Sequence, residues 1–182
     1  MPKANEKAHL RERFRRERKV SFIPESFSHV LSAPEFTDAK IVASYLSYGE
    51  EPSTQEINSE LLKRGVTVLL PRVEGDQMKW ISWDGKLESL KARGKILEPT
   101  GTPYESVSEI EIIIVPALHI DRDGYRLGQG GGHYDRALSH FSGWKLGLAY
   151  AGEISSESLP RQDHDVALNA AATPNLIVRF SK

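Results

Sequence analysis

The chain contains no cysteine. Disulfides, thiolate metal sites and a cysteine nucleophile are therefore excluded, and the composition suits a reducing compartment. Long apolar runs are also missing, since no stretch approaches the roughly 20 residues that span a bilayer. The first residues, MPKANEKAHLRERFRRERK, are basic but lead into no apolar segment, so no signal peptide is expected. Neither charge sign is in excess: 24 Lys and Arg stand against 25 Asp and Glu, a formal net charge of −1. That balance argues against a protein that binds nucleic acid through its whole surface. The expectation is a soluble, cytoplasmic, monomeric protein that engages neither membrane nor nucleic acid.

What is present fits an ordinary globular chain. It has 182 residues, 39% of them apolar and 27% charged. Such a length predicts one domain over residues 1–182, large enough to bury its own core. Charge is uneven along it. Residues 3–19 hold eight Lys and Arg against three Glu, a local +5 that leaves −6 for the rest. Leu10 and Phe14 are four apart, so one face of a basic helix can dock on a body. Lys7 and Arg11 share a neighbouring face by the same spacing. A solvated basic helix and a helix that reaches an anionic ligand both fit. A nucleic-acid arm fits less well, because no aromatic residues interleave with the arginines to stack bases.

The middle of the chain alternates strand and helix signals. Residues 41–48 (IVASYLSY) predict a strand. Ser53 or Thr54 can cap a following helix that carries Ile57, Leu61 and Leu62 on its apolar face. Gly65 suits the turn after it, and residues 66–70 (VTVLL) predict a short buried strand stopped by Pro71. Residues 78–83 (MKWISW), 111–115 (EIIIV), 145–150 (KLGLAY) and 176–180 (LIVRF) are further strands, with 111–115 central. Residues 84–109 give no clear pattern. The class is α/β: an open, mostly parallel sheet flanked by helices, with a basic N-terminal helix.

After the central strand comes a run from Pro116 to Arg136 with five of the chain's 14 glycines between positions 124 and 132. Ala137, Leu138 and Phe141 then have helical spacing. A glycine-rich loop between a buried strand and a helix presents backbone N–H groups to an anion, and glycines let a phosphate approach the main chain. Arg126 and Arg136 can neutralise its charge, and Asp135 can cap the helix or hold a hydrated Mg²⁺. No Lys-Ser/Thr pair follows the glycines, so this is not the common nucleotide-binding phosphate loop. A turn that merely lets the backbone bend remains the alternative.

The stretch from Val115 to Arg136 resembles the signature of the 5-formyltetrahydrofolate cyclo-ligase family. Ala117 replaces a common Gly there, and His133 stands where the family has a Tyr. The likeness runs in order through Lys7 and Arg11, Tyr45-Leu46-Ser47, Glu51 to Thr54, Leu70-Pro71-Arg72, Ile96-Leu97-Glu98-Pro99, Leu159-Pro160 and His164-Asp165-Val166. Asn169 departs from it, since relatives carry Asp after the His-Asp block. The resemblance implies ATP-dependent closure of 5-formyltetrahydrofolate to 5,10-methenyltetrahydrofolate, with Mg²⁺. It assigns Lys7, Arg11, Arg126, Gly128, Gly130, Gly131, Gly132, His133 and Tyr134 to ATP. Leu46, Glu51 and His133 go to the folate, and Asp135 and Asp165 to Mg²⁺. Arg126 and His133 would be the catalytic residues.

Overall fold

The computed structural model describes residues 2–181. An N-terminal helix, α1 (Pro2–Ser21), leads into β1 (Ile41–Ala43), α2 (Gln55–Lys63), and a hairpin of β2 (Thr67–Glu74) and β3 (Gln77–Trp83). A small hairpin follows, β4 (Leu90–Arg93) with β5 (Ile96–Pro99), and then the central strand β6 (Ile112–Pro116). A second small hairpin, β7 (His119–Ile120) with β8 (Arg126–Leu127), precedes α3 (His133–Leu138) and β9 (Trp144–Leu148). The chain finishes with β10 (Ala170–Ala172) and β11 (Ile177–Arg179).

Seven strands form one sheet in the order β11-β10-β9-β6-β1-β2-β3. The inner five are parallel, and an antiparallel strand closes each edge. Alternation along β6 divides the core. Ile112 and Ile114 pack with Ile57 and Leu61 of α2, while Ile113 and Val115 pack with Leu138 of α3. Continuous hydrophobicity at 112–115 thus reflects a strand covered on both faces, as a central parallel strand requires.

The expected class and most of the strands are present, with instructive differences. The first strand ends at Ala43 instead of residue 48. Beyond it the Tyr45 carbonyl accepts bonds from Thr54 Oγ1 (2.5 Å) and Asn58 Nδ2 (3.0 Å), so the chain peels off to meet the start of α2. Thr54 occupies the N-cap position, but its hydroxyl is spent on that carbonyl and does not cap. The second strand runs through Pro71 to Glu74. Past Leu69, where β1 has ended, β2 pairs only with β3, and a one-sided stretch tolerates proline. The helix expected to include Phe141 stops at Leu138, although both side chains pack in the same cluster. The alanine strand β10 gave no sequence signal, because alanine has low strand preference and its burial is decided by neighbours.

Helix α1 is fastened across the carboxyl ends of β6 and β9. Arg18 is 5% exposed; its guanidinium donates twice to Glu153 (2.6 Å each) and once to the Ala117 carbonyl (2.5 Å). Phe14 stacks on His119 at 4.0 Å between ring centroids, and Leu10 packs beside it, as their spacing predicted. Among the described residues no helix is long and apolar enough to cross a membrane.

Breaking a buried ion pair by removing one partner costs about 3–5 kcal/mol. Arg18→Ala should therefore lower the urea unfolding midpoint strongly and expose α1 to proteolysis. An unchanged midpoint would mean the helix is held by its apolar face alone.

Candidate functional site

The connection after β1 runs to β2 on one side, and the connection after β6 runs to β9 on the other. The loops 44–54 and 117–132 therefore part between two adjacent parallel strands, where open α/β sheets bind ligands. A cleft of about 280 Å³ opens there. All thirteen residues assigned from the sequence line it: Lys7 and Arg11 from α1, Leu46 and Glu51 from the loop after β1, Arg126 from β8, Gly128 and Gly130 to Gly132, His133 to Asp135, and Asp165.

The glycine loop does not leave β6 directly. The β7–β8 hairpin intervenes, and fully buried Asp121 organises it. One Asp121 oxygen accepts from the amides of Asp123 and Tyr125 (2.9 Å each), and the other accepts from the Leu159 amide (3.0 Å). Gly124 has φ +83°, and a Cβ there would lie 2.7 Å from the Phe180 ring. Gly132, with φ +66°, is the N-cap of α3, a helix of only six residues. So Asp121 and Gly124 build the turn, and their place in the family signature is structural.

Each acid assigned to the metal is held by a cation. Asp165 accepts from Lys7 Nζ at 2.5 Å and also from the Gln162 amide at 2.8 Å, so it caps its own turn as well. Asp135 accepts from Arg126 at 3.0 Å. Arg126 is 8% exposed, lies over the Tyr134 ring at 5.4 Å, and has a buried Nε without a partner. Arg11 donates to the Gly128 carbonyl at 3.0 Å, and burial lowers its pKa. Among the described residues no group of three or more His, Cys, Asp or Glu could hold a metal. Two carboxylates on one cleft fit a Mg²⁺ that keeps waters and shares substrate phosphates better than an all-protein cage.

The opposite wall is apolar. Leu46, Met78, Ile96 and Leu97 line it together with Tyr45 and Tyr134. Burial raises both tyrosine pKa values, keeping the phenols neutral. Glu51 sits against this wall. Burial pushes its carboxyl up to about 7, against the hydrogen bond from the Tyr48 amide and the charge of Arg18. The sequence reading assigned no role to Ile96 and Leu97, whose order in the family pattern marked the block without its purpose. Met78, whose strand the family resemblance places near the substrate pocket, has no role assigned from the sequence either. His133 is on the cleft, with Nδ1 3.0 Å from the Arg136 guanidinium. Asn169 is elsewhere: its side chain accepts from the Lys145 amide at the start of β9, so its departure from the family pattern does not touch Asp165.

Known proteins resemble this chain along most of its length. A sequence profile of the 5-formyltetrahydrofolate cyclo-ligase family matches residues 3–174. The 5-formyltetrahydrofolate cyclo-ligase of Mycolicibacterium smegmatis is 32% identical over 143 residues, 74% of each chain. That of Escherichia coli strain K12 is 29% identical over 161 residues, 84% of this chain and 88% of its own. The solved structure of Aquifex aeolicus 5,10-methenyltetrahydrofolate synthetase superposes with a TM-score of 0.82 at 29% identity, covering 97% of this chain and 93% of its own.

The raised pKa of Glu51 has a measurable consequence. Below pH 4.5 the acid is protonated in folded and unfolded chains alike, and the fold carries no penalty. As pH rises to about 7 the unfolded chain ionises first, and the fold loses stability. The loss amounts to about 3 kcal/mol and then levels off. Glu51→Gln should remove that loss, so the variant gains on its parent across this window in urea unfolding. Parallel profiles would show that Glu51 ionises in the ordinary carboxylate range.

Proposed function

The chain belongs to the 5-formyltetrahydrofolate cyclo-ligase family, and on that premise we propose that its cleft closes 5-formyltetrahydrofolate to 5,10-methenyltetrahydrofolate, cleaving ATP to ADP and phosphate with Mg²⁺. One observation carries this reading. Residues assigned to nucleotide and to folate come from three separate stretches of chain, 7–11, 46–51 and 126–134, and meet on one cleft at the switch point of the sheet.

The chemistry accounts for the residue types. A formamide oxygen is a poor leaving group. Transfer of the γ-phosphoryl group onto it forms an O–P bond and breaks the bond to ADP. N10 then attacks the formyl carbon, phosphate leaves with the C–O electron pair, and the N10 proton is released. Such phosphoryl transfer asks a protein for positioning and charge neutralisation, with little covalent help. Among the described residues the cleft holds no Ser-His-Asp arrangement, and this chemistry needs none.

Lys7, Arg11 and Arg126 bring three positive groups to the polar end, and the unpartnered Arg126 Nε is a donor without an acceptor. Gly128 and Gly130 to Gly132 leave main chain open to the phosphates. Bound Mg²⁺ would neutralise phosphate charge beside Asp135 and Asp165. His133 and Tyr134 stand between the polar end and the apolar wall, where the formyl oxygen meets the transferring group. Leu46 covers a face of the pterin, and Glu51 as a carboxylate accepts its N–H groups.

The test is near-ultraviolet absorbance of the methenyl product with purified protein. The signal should require 5-formyltetrahydrofolate, ATP and Mg²⁺ together. Nucleotide binding without product would mark a non-catalytic binding module instead. Removing one charged phosphate contact costs about 1.5–3 kcal/mol. Lys7→Ala should therefore raise KM for ATP roughly 10- to 150-fold and KM for folate much less. Asp135→Asn should raise the Mg²⁺ requirement with the melting temperature preserved; a collapse of melting temperature would make Asp135 a structural partner of Arg126.

A further inference from the structure

Arg136 follows the glycine loop in sequence, yet it is exposed and does not line the cleft. Its guanidinium joins three segments instead. Nε donates to the Asp76 carbonyl, in the turn between β2 and β3, at 3.1 Å. Nη2 donates to the Gly131 carbonyl at 3.2 Å and meets His133 Nδ1 at 3.0 Å. Nη1 lies against Gly132, where a Cβ would come within 2.9 Å of it. Arg136 thus ties the glycine loop to the hairpin that brings Val73 and Met78 to the cleft.

The contact with His133 has one chemical reading. A guanidinium carries five N–H donors and no acceptor, so Nδ1 must accept. The ring proton therefore sits on Nε2. Since the ring's hydrogen bond within the protein is made at Nδ1, Nε2–H is left for a ligand. The far edge of the ring lies over the glycine loop. A Cβ at Gly131 would stand 2.8 Å from His133 Cδ2 and 3.1 Å from Nε2, so glycine at 131 makes room for the ring. His133 lines the cleft together with that loop.

We propose that Arg136 is a positioning residue that fixes His133 as a hydrogen-bond donor, its Nε2–H placed beside the glycine loop for an oxygen of the transferring phosphoryl group. The inference rests on the reading of the cleft given above, because it takes His133 to stand where that group passes. A donor held in place before the reaction costs no reorganisation when charge develops on the oxygen. A ring in this form has no lone pair at Nε2, so it takes no proton there, and the N10 proton leaves by another route.

The first measurement needs no ligand. The full chain, labelled with ¹⁵N, is observed by NMR at a pH of about 9, where a free imidazole is neutral. The His133 signals are assigned with His133→Gln. In the parent, Nδ1 should be unprotonated and show a two-bond coupling to Arg136 Nη2 across the hydrogen bond. Arg136→Ala should abolish the coupling and mix the two tautomers. A proton on Nδ1 of the parent, or a tautomer unchanged in Arg136→Ala, would overturn the positioning role.

Turnover supplies the second. Arg136→Ala should lower kcat roughly 2- to 10-fold and leave KM for ATP and for 5-formyltetrahydrofolate near the parent values. A merely structural role lowers the melting temperature and leaves kcat in place, and that result would also overturn the proposal. His133→Gln keeps an amide N–H near the place of Nε2 and has no basic group, so it should retain most of the turnover. His133→Leu should lose roughly 100-fold. Equal losses in the two variants would sink the donor role. A parent that gives no methenyl product, with the coupling intact, would overturn the functional reading and leave the Arg136–His133 contact standing. If Arg136→Ala does not fold, Arg136→Lys decides, because a single ammonium cannot span all three acceptors.

Discussion

The geometry of the cleft depends on how the basic helix is fastened. Arg18 spends its guanidinium on Glu153 and the Ala117 carbonyl, and this anchor sits at the carboxyl ends of β6 and β9. With that end fixed, helical periodicity does the rest. Phe14 meets His119, Leu10 reaches the apolar patch beside Leu159, and Arg15, Arg11 and Lys7 fall in turn along the glycine loop and the segment at 162–165. A helix that would be too polar to stay put by burial alone is held by paired charges.

The same pairing prepares the site electrostatically. Lys7 against Asp165 and Arg126 against Asp135 are compensated pairs with little exposure. Each holds a long, flexible side chain in one place before any ligand arrives, which reduces the ordering cost of binding. Glu51 is the counterexample. Burial opposes its charge, so its ionisation is left to be completed by donors, and these come from the loop, from Arg18 and from whatever occupies the apolar wall.

The sequence made much of this legible. The hydrophobic run at 112–115 marked the central strand, the glycines marked the loop, the four-residue spacing of Leu10 and Phe14 marked the docked face of the first helix, and the family resemblance pointed to its cations Lys7 and Arg11. Elements whose structure is decided by distant partners were illegible. The short first strand follows from Thr54 and Asn58 competing for the Tyr45 carbonyl, and the alanine strand β10 gets its burial from its neighbours. Asp121 and Gly124 sit inside the signature, yet their roles in the hairpin turn become clear only when Leu159 and Phe180 are seen against them. Part of the apolar wall was missed for the same reason: Ile96 and Leu97 are exposed on a small hairpin, and only the fold brings them to the cleft beside Leu46.

Lys7 and Asp165 meet across 158 residues of chain. Contacts of such separation close late, after local strands and helices have formed. On the ribosome the N-terminal helix emerges first and its anchor at Glu153 near the end, so the helix must wait, basic and unattached, while the sheet grows. The strongly charged surface of α1 then has a second value: it keeps the waiting segment soluble and apart from the half-built core. The segment that carries Asp165, made after the central strands, is what completes the polar end of the cleft.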